Sequence, residues 1–143
     1  MLSLTCKTAI KAVIYLASKF DPADKAGIRE IADYIGASEH TVGKLLQNLV
    51  KHGIINSLKG PSGGFYITAK QMNQPLYNII IAVDGKEIFD QCGLGLSKCS
   101  ATHPCPVHDD YKKIRDQFRQ MCRLRTVAHA AEIVTDGFAY LAG

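Results

Sequence analysis

A short segment of the sequence concentrates side chains that bind metals or react with oxidants. Cys92, Cys99 and Cys105 lie close together in the sequence, and His108 follows Cys105 by three residues. Three thiolates and one imidazole can surround one metal centre, because soft metals and iron–sulfur clusters prefer sulfur ligands. His103 is the alternative imidazole donor. The same set also suits tetrahedral zinc, and metal-free thiols can form a disulfide on oxidation, so the residues alone leave three chemistries open.

The other two cysteines stand apart from this segment. The chain has 5 cysteines, and an odd number without an export signal does not indicate a disulfide framework. We expect Cys6 and Cys122, on apolar helix faces, to be small core residues. Lysines interrupt the apolar stretch 1–20, so we predict a cytoplasmic protein that does not associate with membranes. The absence of a cofactor fingerprint, a catalytic triad or paired carboxylates argues against an enzyme.

The elements that precede the cysteines follow a helical pattern and then a strand pattern. Apolar spacing predicts helices over residues 3–20 and 28–35, and a third from an N-cap at Ser38 to about residue 52. The turn at Gly36 joins the last two as a helix-turn-helix. Two β-branched or aromatic runs, 54–58 and 65–68, flank a Gly-rich turn. A helix-turn-helix followed by a hairpin is the layout of a winged helix.

The second half of the chain is predicted to be helical around an irregular loop. We expect a helix that starts at Pro75 and ends near residue 83, an irregular segment over 89–107, a long helix over 109–124 and a last helix capped by Thr126. The long helix carries one apolar stripe, and its basic and acidic side chains are expected on the outer face. The stripe comprises Tyr111, Ile114, Phe118, Met121 and Leu124, and the outer face Lys112, Lys113, Arg115, Asp116 and Arg119. The chain's own domain or the same helix of a second chain could cover the stripe.

These elements define a mainly α fold, a winged helix-turn-helix with a small β-hairpin wing and a long C-terminal dimerisation helix. The predicted organisation is a winged-helix DNA-binding domain over 1–70, a linking helix and cysteine loop over 71–108, and the dimerisation and C-terminal helices over 109–143. The formal charge is +4, and all of this excess lies within residues 1–70. A positive surface there would attract phosphate.

The candidate DNA contacts come from the third helix and the wing. A helix that enters a major groove must present polar side chains, and a wing can reach phosphate through a lysine and through backbone amides freed by glycine. The predicted contacts are Ser38, Glu39, His40, Thr41 and Lys44 on the helix, and Lys59, Gly60, Ser62 and Gly63 on the wing.

The order of these features resembles one family. Four features occur in a fixed order along the chain: the N-terminal segment from residues 1–3 to 15–17, the recognition region 38–55, the wing 59–65 and the cysteine triplet. The chain resembles the Rrf2 family of bacterial winged-helix transcription regulators, which includes IscR and NsrR. The resemblance spans most of the chain, and its most specific part is the glycine-rich wing combined with the downstream cysteines.

The resemblance implies a homodimer that places one winged helix per chain on a palindromic site in double-stranded DNA. It also implies that Cys92, Cys99 and Cys105 bind an iron–sulfur cluster. His108 matches the histidine that completes a 2Fe–2S site in the cluster-biogenesis branch of the family. Lys7 stands where the nitric-oxide branch supplies an acidic ligand from the partner chain, so 2Fe–2S is favoured over 4Fe–4S. The predicted function is transcription regulation switched by this cluster, the alternative being a zinc or thiol-redox site.

Overall fold

The N-terminal half of the described fold contains three helices whose ends are set by local sequence. A computed structural model describes residues 2–19, 24–98 and 100–143, so Cys99 and residues 20–23 lie outside it. Helix α1 is Leu4–Ser18, α2 is Ile28–Ile35 and α3 is Glu39–Lys51. The Ser3 and Ser38 hydroxyls cap α1 and α3 by accepting the amides of Cys6 and Thr41. The bounds of α2 and α3 therefore confirm the predicted helix-turn-helix.

The wing is a short hairpin that is joined by a third backbone segment. Strands β1, Asn56–Leu58, and β2, Gly64–Tyr66, pair antiparallel. Both are shorter than the sequence predicts, because the flanking residues pack into the core or lead into a helix. Ala26 adds an isolated bridge to Phe65, with two backbone hydrogen bonds of 2.8 and 2.9 Å. The wing is thus hydrogen-bonded to the segment that precedes α2. The sequence does not predict this contact, because a bridge of one residue leaves no repeating pattern.

Helices in the second half follow the predicted order with two additions. They are α4, Ala69–Met72, α5, Leu76–Asp84, α6, His108–Leu124, and α7, Val127–Thr135, with a 3₁₀ turn at Lys86–Phe89. The short α4 and the 3₁₀ turn were not predicted, because neither is long enough to show a repeat. Pro75 is the N-cap of α5 rather than its first helical residue.

Two apolar clusters form the core. The larger joins α1, α2 and α3 to α5 and α7, with Val13, Leu46, Ile79 and Val127 fully buried. The smaller, which we call the second cluster, contains Cys6, Ile80, Ile88, Phe89 and Cys122, and it packs α6 against α1 and α5. Within the described ranges, no helix is long and apolar enough to cross a membrane.

Candidate nucleic-acid interface and cysteine loop

The predicted contact residues of α3 all lie on its exposed side. Ser38, Glu39, His40, Thr41 and Lys44 are exposed at or near the N-terminus of the helix. The Ser38 hydroxyl is engaged in capping, since it accepts the Thr41 amide and donates to the Thr41 hydroxyl at 2.9 Å. Glu39 lies 3.7 Å from the Arg29 guanidinium, an exposed pair of small energetic weight. His40 and Lys44 therefore present the polar groups that local structure leaves most accessible.

The wing lies beside the C-terminal half of α3 and exposes its turn. Lys59, Gly60 and Ser62 are exposed at the tip. Gly63 has a structural reason to be glycine, because a Cβ there would lie 1.9 Å from the Leu58 carbonyl oxygen. A groove of about 430 Å³ separates the wing from α3 and is lined by Gln47 and Val50 on one side and Lys59 and Phe65 on the other. Of the predicted contact residues, only Lys59 lines this groove. The predicted residues of α3 lie nearer the start of the helix, where His40 and Lys44 line a separate depression.

Two of the three loop cysteines lie together below the surface. Cys92 and Cys105 are 8% and 7% exposed, and the Cys105 thiol lies near enough to Cys92 to help lower the pKa of its thiol. The Leu94 amide donates to Cys92 Sγ at 3.4 Å. This amide, followed by that of Leu96, holds the pKa of the Cys92 thiol below its usual range. Converging amides stabilise a thiolate, which is the form of cysteine that binds metals and reacts as a nucleophile.

His108 is buried at the end of the loop, whereas the competing His103 is exposed. It is the first residue of α6, it is 7% exposed, and its amide donates to the Cys105 carbonyl at 3.1 Å. His103 is exposed on the outside of the loop. Cys99 lies outside the described residues. Among those that are described, no three His, Cys, Asp or Glu side chains converge as metal ligands. The amide-stabilised Cys92 beside Cys105 nevertheless fits the sulfur-rich donor set that an iron–sulfur cluster requires.

Two arginines of α6 anchor the start of the cysteine loop. Arg115 Nη1 donates to the Gln91 carbonyl at 2.7 Å, and Arg119 Nη2 donates to the Phe89 carbonyl and to Asp90 Oδ1, the latter at 2.8 Å. Arg115 is only 6% exposed, so the prediction that both arginines lie on the outer face of the helix is wrong. The physical reason is that the loop folds back over α6 and its backbone carbonyls need donors.

The loop and the second cluster are in direct contact. Gly93 lies against the Tyr111 ring so closely that a Cβ would be 2.8 Å from Cγ of that ring. Just before the loop, the Phe89 ring stacks on the Tyr77 ring with 5.1 Å between centroids, and its centroid lies 5.9 Å from that of Phe118. This aromatic layer covers Cys6 and Cys122, as the shared cluster shows. The loop therefore packs on the side chains that hold α6 against α1 and α5.

Cys6 and Cys122, in the second cluster, have the opposite electrostatic environment from Cys92. Burial raises the pKa of Cys6 to about 12, with a further contribution from the nearby Asp84 carboxylate. Burial also raises the pKa of Cys122 to about 11. Both thiols stay protonated near neutral pH, which confirms the expectation that they are core residues.

The apolar stripe of α6 divides into two parts. Tyr111 and Phe118 are half-buried against the loop and the second cluster. Ile114, Met121 and Leu124 are 55%, 50% and 71% exposed. The chain's own domain therefore covers only part of the stripe, and the remainder forms an exposed apolar row along one side of α6.

The fold and the exposed polar face of α3 define a winged-helix protein of the DNA-binding class. The chain matches the family model Rrf2, described as "Iron-dependent Transcriptional regulator", over residues 2–132, and it belongs to this family. It is 29% identical over 125 residues to an Aquifex aeolicus protein assigned to the HTH-type transcriptional regulators, covering 86% of this chain and 85% of that one. Members of the family are transcriptional regulators that bind DNA, and the chain is a regulator rather than an enzyme.

Two solved structures share the fold at low sequence identity. One is CymR, the global cysteine regulator of B. subtilis, with a TM-score of 0.74, 19% identity and coverage of 92% of this chain and 96% of that one. The other is T. potens IscR, with a TM-score of 0.72, 17% identity and coverage of 97% and 91%. These likenesses confirm the predicted fold class.

Proposed function

We propose that the chain is a homodimeric regulator that binds a palindromic operator, inserts the start of α3 into the major groove and rests its wing on the flanking backbone. The observation that carries this proposal is that the polar residues at the start of α3 and the tip of the wing are all exposed, with an open groove between the end of α3 and the wing. His40 and Lys44 would read base edges, while Lys59 and the amides near Gly60 and Gly63 would bind phosphate. A regulator that binds chromosomal DNA acts in the cytoplasm.

The exposed apolar row on α6 supports the homodimer. Ile114 and Met121 are seven residues apart and Leu124 follows three later, which is the spacing of a helix seam between two chains. An isologous contact through this row would pair α6 with the same helix of a second chain. The two winged helices would then be related by a two-fold axis, as a palindromic site requires.

The cysteine loop is the proposed sensor. Cys92, Cys99, Cys105 and His108 would hold an iron–sulfur cluster, with 2Fe–2S favoured over 4Fe–4S. When bound, such a cluster supplies one-electron redox chemistry and sensitivity to the supply of iron and sulfide. The chain's own part is to present Cys92 as a thiolate and to hold the loop on α6 through Arg115 and Arg119. A reorganised loop would thereby shift α6, and with it the spacing of the two winged helices.

A direct test uses anaerobic expression, ultraviolet–visible spectroscopy and iron and sulfide analysis. We expect the wild type to be coloured and to contain iron and sulfide, and Cys99→Ala to lose both. Cys122→Ala, which removes a buried thiol outside the loop, is the matched control and should keep them once its fold is verified. Equal spectra and metal content in wild type and Cys99→Ala would remove the cluster from the proposal.

One observation favours a second candidate, a thiol switch without metal. Cys92 and Cys105 are buried near each other, so a peroxide could join the two sulfurs with loss of two protons and two electrons, which reduce the peroxide to water. This candidate predicts an iron-free anaerobic sample and a mass loss of about 2 Da on peroxide treatment, as one disulfide requires. A colourless sample that contains zinc would instead indicate a structural zinc site.

A further inference from the structure

Two glutamine side chains occupy the junction between α3 and the wing. Gln71 Nε2 donates to the Gly53 carbonyl at 3.0 Å and to Asn56 Oδ1 at 2.9 Å. Gln74 Nε2 donates to the Ile54 carbonyl at 2.9 Å. Residues 53 and 54 directly follow the recognition helix, and Asn56 begins the wing. Both glutamines are half-buried, and neither belongs to the predicted DNA contacts.

Gln71 is itself fixed by a reciprocal cap. Its Oε1 accepts the Thr68 amide at 3.0 Å, while its own amide donates to the Thr68 hydroxyl at 3.2 Å. This capping box sets the start of α4 directly after the wing. One side chain thus links the end of the recognition helix, the first strand of the wing and the segment that leaves the wing.

Gln74 connects the same junction to the end of α6. The backbone carbonyl of Gln74 accepts the Val127 amide at 2.9 Å, and the Leu76 amide donates to the backbone carbonyl of Arg125 at 2.9 Å. Arg125 is the C-cap of α6, so two backbone hydrogen bonds on either side of Pro75 join this segment to the end of the long helix, and the Gln74 side chain joins it to the Ile54 carbonyl.

We infer that Gln71 and Gln74 are positioning residues for DNA binding, which hold the wing at a fixed angle to α3 and couple that angle to the end of α6. This inference rests on the proposed role of the wing at DNA. Unsupported, a hairpin with three-residue strands is marginally stable, so its angle depends on contacts at its base. Loss of the glutamine donors would leave Lys59 in the chain but remove it from the phosphate that it contacts.

The test is a double-mutant cycle on a duplex selected by the wild-type protein from a random library. Gln71→Met keeps the side-chain length and removes the hydrogen bonds without adding charge. We expect it to weaken binding about fivefold and to lower the salt dependence of binding by about one phosphate contact, as Lys59→Ala does. In the Lys59→Ala background, Gln71→Met should then have no further effect. Gln120→Met, an exposed change on α6, is the matched control and should bind as the wild type does.

The outcomes separate the inference from the proposed function. If Lys59→Ala weakens binding and Gln71→Met does not, or if the two effects multiply, the inference is wrong and the proposed function stands. If the wild type selects no duplex, both fail. Hydrogen exchange keeps the test independent of global folding, since we expect faster exchange at residues 56–66 with α1 and α7 unchanged. Should Gln71→Met unfold, Gln74→Met repeats the cycle through Ile54 alone.

Discussion

The cysteines of this chain differ in reactivity because of their positions in the fold. Cys6 and Cys122 lie in the second cluster with raised pKa values, whereas amides converge on Cys92 and lower its pKa. For an acid, a raised pKa means that the protonated thiol persists to higher pH, so the Cys6 side chain stays a thiol at pH 8. Reactivity should therefore belong to the loop.

Alkylation with iodoacetamide at pH 8 tests this difference. We expect the native metal-free protein to be labelled at Cys92 and to remain unlabelled at Cys6 and Cys122, as peptide mass spectrometry would show. Denaturation in urea is the control and should make all of these sites reactive. Labelling of Cys6 at the rate of Cys92 in the native protein would contradict the assigned burial.

The hydrogen bonds of Arg119 give a second prediction at the residue scale, on the stability of the fold. Arg119→Ala removes donors from the Phe89 carbonyl and from Asp90, and it should lower the free energy of unfolding by about 1–3 kcal/mol. Lys112→Ala on the same helix removes an exposed pair with Asp116 and should cost less than about 0.5 kcal/mol. Urea denaturation measures both. Equal losses would show that the arginine does not anchor the loop.

At the scale of elements, the helices whose ends carry caps were predictable and the irregular parts were not. Ser38 and Gly36 bracket α3 and α2 in the sequence, and the structure places both helix ends there. The loop 90–107 has no repeat, so its contacts depend on tertiary packing against Tyr111, Arg115 and Arg119. The basic residues of α6 were assigned to solvent because periodicity distinguishes apolar from polar faces but cannot show which carbonyls a neighbouring loop brings.

The wing turn gives a prediction at this scale. In Gly63→Ala the new Cβ would collide with the Leu58 carbonyl oxygen, so the hairpin must open. We expect binding to the selected duplex to weaken about tenfold or more, because Lys59 loses its position. Gly27→Ala is the matched control, since a Cβ there meets no atom within 4 Å. Unchanged affinity of Gly63→Ala would separate DNA binding from the wing.

The exposed apolar row of α6 gives the second prediction at the scale of elements. Met121→Asp places a charge in the proposed seam and should convert a dimer to a monomer, measured by sedimentation equilibrium. Lys112→Asp introduces the same side chain on the same helix, about 200° around the axis from Ile114, and should leave the dimer intact. A dimer that survives Met121→Asp would place the two-fold contact elsewhere.

At the scale of the whole molecule, the cysteine loop, which is the proposed sensor, and the proposed DNA-binding surface are connected by packed elements rather than by one contact. The loop contacts α6 through two arginines and a tyrosine, and α6 contacts α1 and α5 through the second cluster. The end of α6 reaches the junction between α3 and the wing through the segment that carries Gln74. The sequence predicted the two ends of this route from the cysteine triplet and the glycine-rich turn. The intervening contacts involve half-buried polar side chains, such as Gln71 and Arg119, whose types are equally common on surfaces.

The central claim is that the state of the cysteine loop controls DNA affinity. The most direct measurement compares the affinity of anaerobically purified protein for its selected duplex before and after removal of iron by a chelator, with Cys92→Ala treated in parallel. We predict that iron removal changes the affinity of the wild type by about tenfold and leaves that of Cys92→Ala unchanged. Equal affinity of the iron-loaded and iron-free wild type would contradict the account.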